Sequence, residues 1–306
     1  MAPSNESDEV RVDVDGRTLT ISNLHKVLYP DTGTTKGEVL NYYARVAPVL
    51  LPLLADRALT RIRWPNGTAQ SQFFEKNLPA GAPGWLRSVT LTGTGSRTGE
   101  AVTYPVVEDL ADLTYLANLA SLELHVHQWK VGPDGTPLNP DRLVIDLDPG
   151  APAGLHECAR VALWVRERLE DLGLASAPVT SGSKGLHLYA ALPGGGRQTA
   201  EEVRAQAQEI GQALAGEHGD LVVWKMTKAL RPGKVFLDWS QNTAAKTTIT
   251  PYSLRGRAAP FVAAPRTWAE IEDGASGGGR LTHLGMDEVL ARVDAEGDVF
   301  GDLLGG

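Results

Sequence analysis

The sequence predicts an α+β protein, a sheet covered on one face by helices. Three observations predict it. From Arg142 to Trp239 the chain reads strand, helix, two strands, helix, strands, which is the split βαβ order. Two capping boxes, Thr35 with Glu38 and Thr199 with Glu202, mark helix starts. The strand-like run Val144 to Gly150 sets Asp146 and Asp148 one residue apart among apolar neighbours.

Each element has its own warrant. Val10, Val12 and Val14 alternate toward the turn dipeptide Asp15-Gly16, and Leu19 and Ile21 follow it, as in a hairpin. Thr35 opens a helix running through Glu38 to Val46. Arg57 to Trp64 reads as a strand ended by Pro65-Asn66-Gly67. Leu91 to Glu100 is rich in Gly, Thr and Ser and reads as a surface loop. Asp109 to Leu124 carries helical spacing. After the strand Arg142 to Asp148, a helix from about His156 lines up Val161, Val165, Leu169 and Leu172, and Gly173 stops it. Pro178 to Thr180 and Leu186 to Leu192 are strands joined by Ser181-Gly182-Ser183-Lys184-Gly185. Thr199 opens a helix with Val203, Ala207, Ile210 and Leu214 on its face. Leu221 to Met226 and Val235 to Trp239 are strands around Arg231-Pro232-Gly233-Lys234. The sheet face away from the helices is expected to be open, with the Asp pair on it. Glu270 to Gly279 reads as a flexible join before a short helix around Met286 to Val293.

Composition narrows the class. The chain has 306 residues, room for one large or two ordinary domains. Its single cysteine, Cys158, excludes an intrachain disulfide and a cysteine metal site. Apolar runs such as Val49 to Leu54 are too short to span a bilayer. Met1 to Glu9 is polar and acidic, unlike a signal peptide, so a cytoplasmic address and no membrane contact are expected. The net charge of −8 is unevenly spread. Arg266 to Gly306 holds nine acidic and three basic residues, whereas Lys225 to Arg257 holds seven basic residues and one acid, Asp238. Arg57 to Arg97 adds six basic residues against Glu75 alone. Two basic segments fit a polyanion-binding face, although ordinary solvated surface gives the same counts.

Asp146 and Asp148 point to the same side of their strand, and like charges held that close call for a neutralising cation. Oxygen ligands suit magnesium or manganese; two solvated carboxylates at a strand end are the plainer alternative. Asp238 stands in the apolar strand Val235 to Trp239 and needs a partner, either a nearby cation or a metal shared with the Asp pair. Ser181 to Gly185 has the composition of a phosphate cradle, with Lys184 as its charge, yet such residues also favour a plain hairpin turn. His187 alternates away from Leu186 and Leu188 and leaves that loop on the polar face. Phe73 and Phe74, beside Lys76, can serve base stacking; in a strand one of the two is expected to face the core. Asn23, Lys26 and Lys36 flank the first helix and can line an anion pocket.

Asp146-Leu147-Asp148, then Ser181 to His187, then Leu237-Asp238 resemble the three-motif signature of the archaeo-eukaryotic primase superfamily. The closer resemblance is to the polymerase domain of bacterial ligase D, a nucleotidyltransferase of non-homologous end joining. Further segments are similar to that family: Ser22 to Pro30, Thr35 to Gly37, Tyr42-Tyr43, Arg63 to Gly67, Phe73 to Asn77, Leu122 to His125 and Ala264 to Trp268. The resemblance covers about residues 10–293. It implies a primase-polymerase fold, with a mostly antiparallel RRM-like sheet, flanking helices and an N-terminal α/β subdomain. One catalytic domain over 10–295 is expected, divided near residue 125, with the sheet over about 126–265 and tails at 1–9 and 296–306. The acidic stretch from Glu270 onward is expected to be a solvated cap or docking segment.

The roles that follow are what the resemblance implies. Asp146, Asp148 and Asp238 would bind two manganese or magnesium ions. Ser181, Lys184, His187 and Arg231 would hold the incoming NTP or dNTP. Asn23, Lys26 and Lys36 would take a 5′-phosphate at a gap, Phe73 and Phe74 would stack on the template, and the loop around Arg97 would serve when two DNA ends meet. The expected activity is template-directed addition of nucleotides, preferably ribonucleotides, to DNA 3′ ends in double-strand break repair, near the nucleoid. A Ku-like end-binding protein and an ATP-dependent ligase would be partners. Lys-x-Asp-Gly, the ligase signature, is absent, so this chain is not expected to seal a nick. The alternatives are primer synthesis, a non-catalytic end-bridging module and a metal-dependent nuclease.

Overall fold

The computed structural model describes residues 9–92, 101–193, 196–277 and 280–304. Two sheets organise it. The larger has six strands in the order Val222–Val223, Val235–Asp238, Arg142–Pro149, Leu186–Ala191, Ser176–Thr180, Ala264–Pro265. Its neighbours are antiparallel except the first pair. The smaller, fully antiparallel sheet runs Thr248–Ile249, Ser121–Val126, Leu59–Arg63, Phe73–Glu75. This is the α+β arrangement expected. No helix among the described residues is long and apolar enough to cross a membrane.

Strand alternation decides where each core sits. Leu143, Ile145 and Leu147 face the helices Leu155–Asp171 and Ala200–Glu217, where they bury Val161, Val165, Val203 and Leu214 with them. The opposite face is not wholly open, in contrast to the expectation. Val144, Ala177, Val179 and Tyr189 pack into a second core with the helix Lys36–Leu54 and the smaller sheet. Only the end bearing the aspartates stays clear, because carboxylates cannot be buried against that core without partners.

The hairpin forms as read, Glu9–Val14 against Arg17–Ser22, with Asp15 and Gly16 at positive φ in the turn. The capping boxes at Thr35 and Thr199 are both present. The first helix runs on past Val46 to Leu54, through Pro48 and Pro52, because Val49, Leu50 and Leu54 are buried. The helical spacing over 109–124 resolves into a helix, Leu110–Asn118, and a strand from Ser121, separated at Ala120 by a left-handed φ of 59°. Residues 93–100 of the expected surface loop, with Arg97, lie outside the described residues.

The C-terminal part differs most from its reading. Glu270 lies inside a helix, Trp268–Ser276, opened by a third capping box at Thr267. The acidic stretch is not merely solvated. Glu270 accepts hydrogen bonds from Arg266 and Arg292 at 2.6 and 2.7 Å. Beyond the helix Met286–Glu296, a last helix Val299–Leu304 buries Phe300 edge-on to Tyr189, with ring centroids 5.4 Å apart.

Candidate active site

The register of three adjacent strands builds the site. Asp146 is opposite His187 on one neighbour and opposite Asp238 on the other, so all three side chains share a face. Asp148 follows on the same face, opposite Phe236. Asp146 Oδ1 lies 3.2 Å from His187 Nε2. The Gln241 amide bridges two carboxylates, donating to Asp146 Oδ2 at 3.2 Å and Asp238 Oδ2 at 3.4 Å. Asp238 Oδ1 accepts the Ser240 N–H at 2.8 Å, and Lys246 Nζ stands 3.8 Å from Oδ2.

These partners relieve the crowding of negative charge unequally. Burial pushes the Asp146 carboxyl up, but the charge and hydrogen bond of His187, with Gln241, outweigh it and hold it below the usual range. Asp148 is supported less, drawn down only by the charges of His187 and Arg231. Desolvation first, then the charge of Asp146, pushes it up to about 6, with Asp238 adding to the effect. A divalent cation would supply the missing positive charge. Among the described residues no three His, Cys, Asp or Glu are yet gathered as a finished metal site. Asp146 gives its oxygens to His187 and Gln241, and Asp238 gives one to Ser240. The donor set is three carboxylates on one face, and it fits hard divalent ions once those bonds exchange.

The loop after Ser176–Thr180 closes on itself. The Ser181 hydroxyl accepts the N–H groups of Ser183 and Gly185 at 3.3 and 3.2 Å, so these donors turn inward rather than toward an anion. Its glycines are fixed by space. A Cβ on Gly185 would stand 1.9 Å from the Leu147 carbonyl oxygen, and Gly182, at φ 68°, would meet Val262 at 2.7 Å. Ser181 is buried, Lys184 exposed, and both line one cleft of about 360 Å³ with Asp146, Asp148 and His187. Arg231 is not on that lining. Its guanidinium lies 3.6 Å over the Phe236 ring, on the Asp148 side, where its charge draws Asp148 down.

Arg255, His125 and Arg257 also line the cleft, and none was singled out from the sequence. Glu123 holds the first two: its Oε2 is 3.2 Å from Arg255 Nη1 and 2.9 Å from His125 Nε2, and its Oε1 accepts the Gly256 N–H at 3.0 Å. The sequence carried a signal for them only in bulk, in the basic excess from Lys225 to Arg257 and in the segment Leu122 to His125.

The other predicted residues form a separate group. Asn23 holds a positive φ of 56° in a loop docked on the start of the first helix, where Lys36 N–H bonds the Lys26 carbonyl at 2.8 Å. Lys36 is buried, and its Nζ donates to the Ser22 carbonyl at 2.6 Å. Burial, then the charge of Lys26, lowers its pKa to about 8. Lys26 is exposed, with Nζ 3.4 Å from Asn66 Oδ1. Phe73 and Phe74 are both exposed, at 49% and 57%. The expectation that one would face the core fails: Phe73–Glu75 is an edge strand, and among the described residues neither ring is covered.

Residues 35–300 match the family model described as LigD, primase-polymerase domain. The chain is 49% identical over 288 residues to the multifunctional non-homologous end joining protein LigD of Mycobacterium bovis, covering 92% of this chain and 36% of that protein. It is 31% identical to the bifunctional LigD of Bacillus subtilis, covering 93% of this chain and 44% of that one. The chain thus spans between a third and a half of the length of these two curated relatives. A solved structure of the polymerase domain from Mycobacterium tuberculosis ligase D in complex with DNA superposes with a TM-score of 0.87 at 46% identity, covering 94% of this chain and 98% of that one.

Proposed function

The chain belongs to the LigD primase-polymerase domain family, and we propose that it is a template-directed nucleotidyltransferase filling gaps at DNA ends during non-homologous end joining. The observation that carries this reading is the register of Asp146 with both Asp238 and His187, beside Ser181 and Lys184. The DNA 3′-hydroxyl attacks the α-phosphate of the incoming nucleotide, and pyrophosphate leaves. Asp146, Asp148 and Asp238 would hold two divalent ions, manganese or magnesium, which supply charge neutralisation at the reacting oxygens. Lys184 brings a positive charge to the triphosphate, and the buried Ser181 hydroxyl fixes the loop that presents it. His187 orients Asp146, and Arg231 faces the nucleotide from the Asp148 side. Asn23, Lys26 and Lys36 take the 5′-phosphate across the gap, and the exposed Phe73 and Phe74 stack on template bases. Ribonucleotide preference, a cytoplasmic place at the nucleoid, and work alongside a Ku-like protein and a ligase belong to the same proposal.

Primer extension on a gapped duplex with manganese tests it, with and without the 5′-phosphate and with NTP and dNTP in parallel. Incorporation that depends on template and metal is expected, stronger with the phosphate. No incorporation under any of these conditions would overturn the reading.

A further inference from the structure

Gln241 stands between two carboxylates, where a cation would be expected. Its amide nitrogen donates to Asp146 Oδ2 at 3.2 Å and to Asp238 Oδ2 at 3.4 Å. The donor end must face them, because an amide oxygen there would meet two carboxylate oxygens. The other oxygen of each carboxylate has its own partner. Asp146 Oδ1 is 3.2 Å from His187 Nε2, and Asp238 Oδ1 accepts the Ser240 N–H at 2.8 Å and the Ser240 hydroxyl. Lys246 adds charge beside Asp238 Oδ2 from 3.8 Å. Among the described residues Gln241 alone hydrogen-bonds both Oδ2 atoms.

The fold brings Gln241 to this place. It belongs to a 3₁₀ turn, Trp239–Asn242, capped by Asp238 itself. Asn242 pins the turn to the aspartate strand, accepting the Val144 N–H at 2.8 Å and donating to the Val144 carbonyl at 2.7 Å. On the other side Trp239 Nε1 donates to the Trp224 carbonyl at 3.1 Å. The backbone of the turn is thus held, while the half-buried Gln241 side chain lines the cleft with Asp146 and Asp148. It can change rotamer without disturbing the strands.

We propose that Gln241 is a positioning residue that stands in for the metal: its amide keeps Asp146 and Asp238 paired in the metal-free protein and must leave before a divalent ion can take their Oδ2 atoms. The inference rests on the nucleotidyltransferase reading above, which assigns the ions to these aspartates. An amide offers only partial charge, so it relieves the repulsion in part and gives way to a full cation. Its departure costs two hydrogen bonds to carboxylates, so Gln241 lowers the affinity for the ion while keeping the row aligned.

The test measures manganese binding to the whole chain by electron paramagnetic resonance of the free ion, without nucleotide or DNA, at one fixed pH. Gln241→Met keeps the length of the side chain and removes both donors. It should bind manganese about tenfold more tightly than wild type, the size of the hydrogen bonds that no longer have to be broken. Its metal-free form should melt at a lower temperature and gain more on adding manganese. Equal affinity would overturn the proposal by making the contact merely structural, and weaker affinity would overturn it by making Gln241 a ligand; both leave the carboxylate site standing. No manganese binding by either protein would overturn the site and the proposal together. A second measurement needs no variant. In wild type carrying isotope-labelled glutamine, the Gln241 side-chain amide signal in the NMR spectrum should move when magnesium is added. A signal unchanged at saturating magnesium would overturn the proposal.

Discussion

Asp146 and His187 face each other across an antiparallel pair, carboxylate oxygen to imidazole nitrogen at 3.2 Å. Asp146 also sits opposite Asp238, so its loss removes the centre of the carboxylate row. Asp146→Asn should lower nucleotide incorporation by at least about 10²–10³-fold, the range seen when a single electrostatic contributor to a transition state is deleted. Binding to gapped duplex should change little, because the residues proposed for the 5′-phosphate, Asn23, Lys26 and Lys36, are not on the lining of the aspartate cleft. Primer extension and anisotropy on one preparation check both halves.

The second prediction concerns pH. Lys36 titrates near 8 in the free protein, depressed by burial and by Lys26. A bound phosphate favours its charged form and must raise that value. The preference for 5′-phosphorylated over unphosphorylated ends should therefore be flat below about pH 8 and decline above it, with proton uptake on binding in that upper range. Titrations from pH 7 to 9.5 would show this, and Lys36→Met should abolish both the preference and its pH dependence.

Phe73 and Phe74 separate function from stability. Both rings are exposed, so replacing either by Ala should leave thermal unfolding nearly unchanged. Template binding should weaken by about 1–3 kcal/mol per ring if each stacks on a base. A large drop in melting temperature without loss of DNA affinity would count against a stacking role.

Glu270 anchors the C-terminal segment. Burial disfavours its charge, but Arg292, the Thr267 N–H and Arg266 hold its pKa down at about 2, from 4.5. A depressed carboxyl stabilises the fold above its unfolded value, and that contribution is lost as pH falls from about 4.5 toward 2. Glu270→Gln should cost about 2 kcal/mol at neutral pH, after allowing for solvent screening, and should flatten the acid limb of the stability curve. Denaturant melts at pH 7 and pH 3 measure both effects.

Gly185→Ala would place a methyl group against the Leu147 carbonyl, in the strand that carries both aspartates. The backbone must shift, which should destabilise the protein by about 1–3 kcal/mol and raise the KM for nucleotide more than it lowers kcat. Steady-state kinetics with varied nucleotide distinguish this from simple loss of folded enzyme.

Alternation along a strand made much of this legible in the sequence. It placed Asp146 and Asp148 on one side, and the cap at Thr199 placed one of the two helices that cover the other; the helix opened by Thr35 packs on the aspartate side instead. Glu123 with Arg255 was not legible, since the two are far apart in the chain and meet only through the smaller sheet and the turn beyond it. The same holds for Phe300: a lone aromatic in a Gly- and Asp-rich stretch gives no periodic signal, and its burial follows from the distant core it joins, Tyr189 included. The sequence predicts the first helix as far as Val46, yet its buried apolar face carries it on through Pro48 and Pro52.

The row His187, Asp146, Asp238 exists only while three strands keep their alignment. A slip of one residue in the Arg142–Pro149 strand would send Asp146 and Asp148 into the oily layer and bring Ile145 and Leu147 out to water. Misaligned chains would therefore be rejected by folding itself before chemistry could test them. Insertions and deletions should be absent from these strands, and transplanting the site to another scaffold would require moving the paired sheet as a unit.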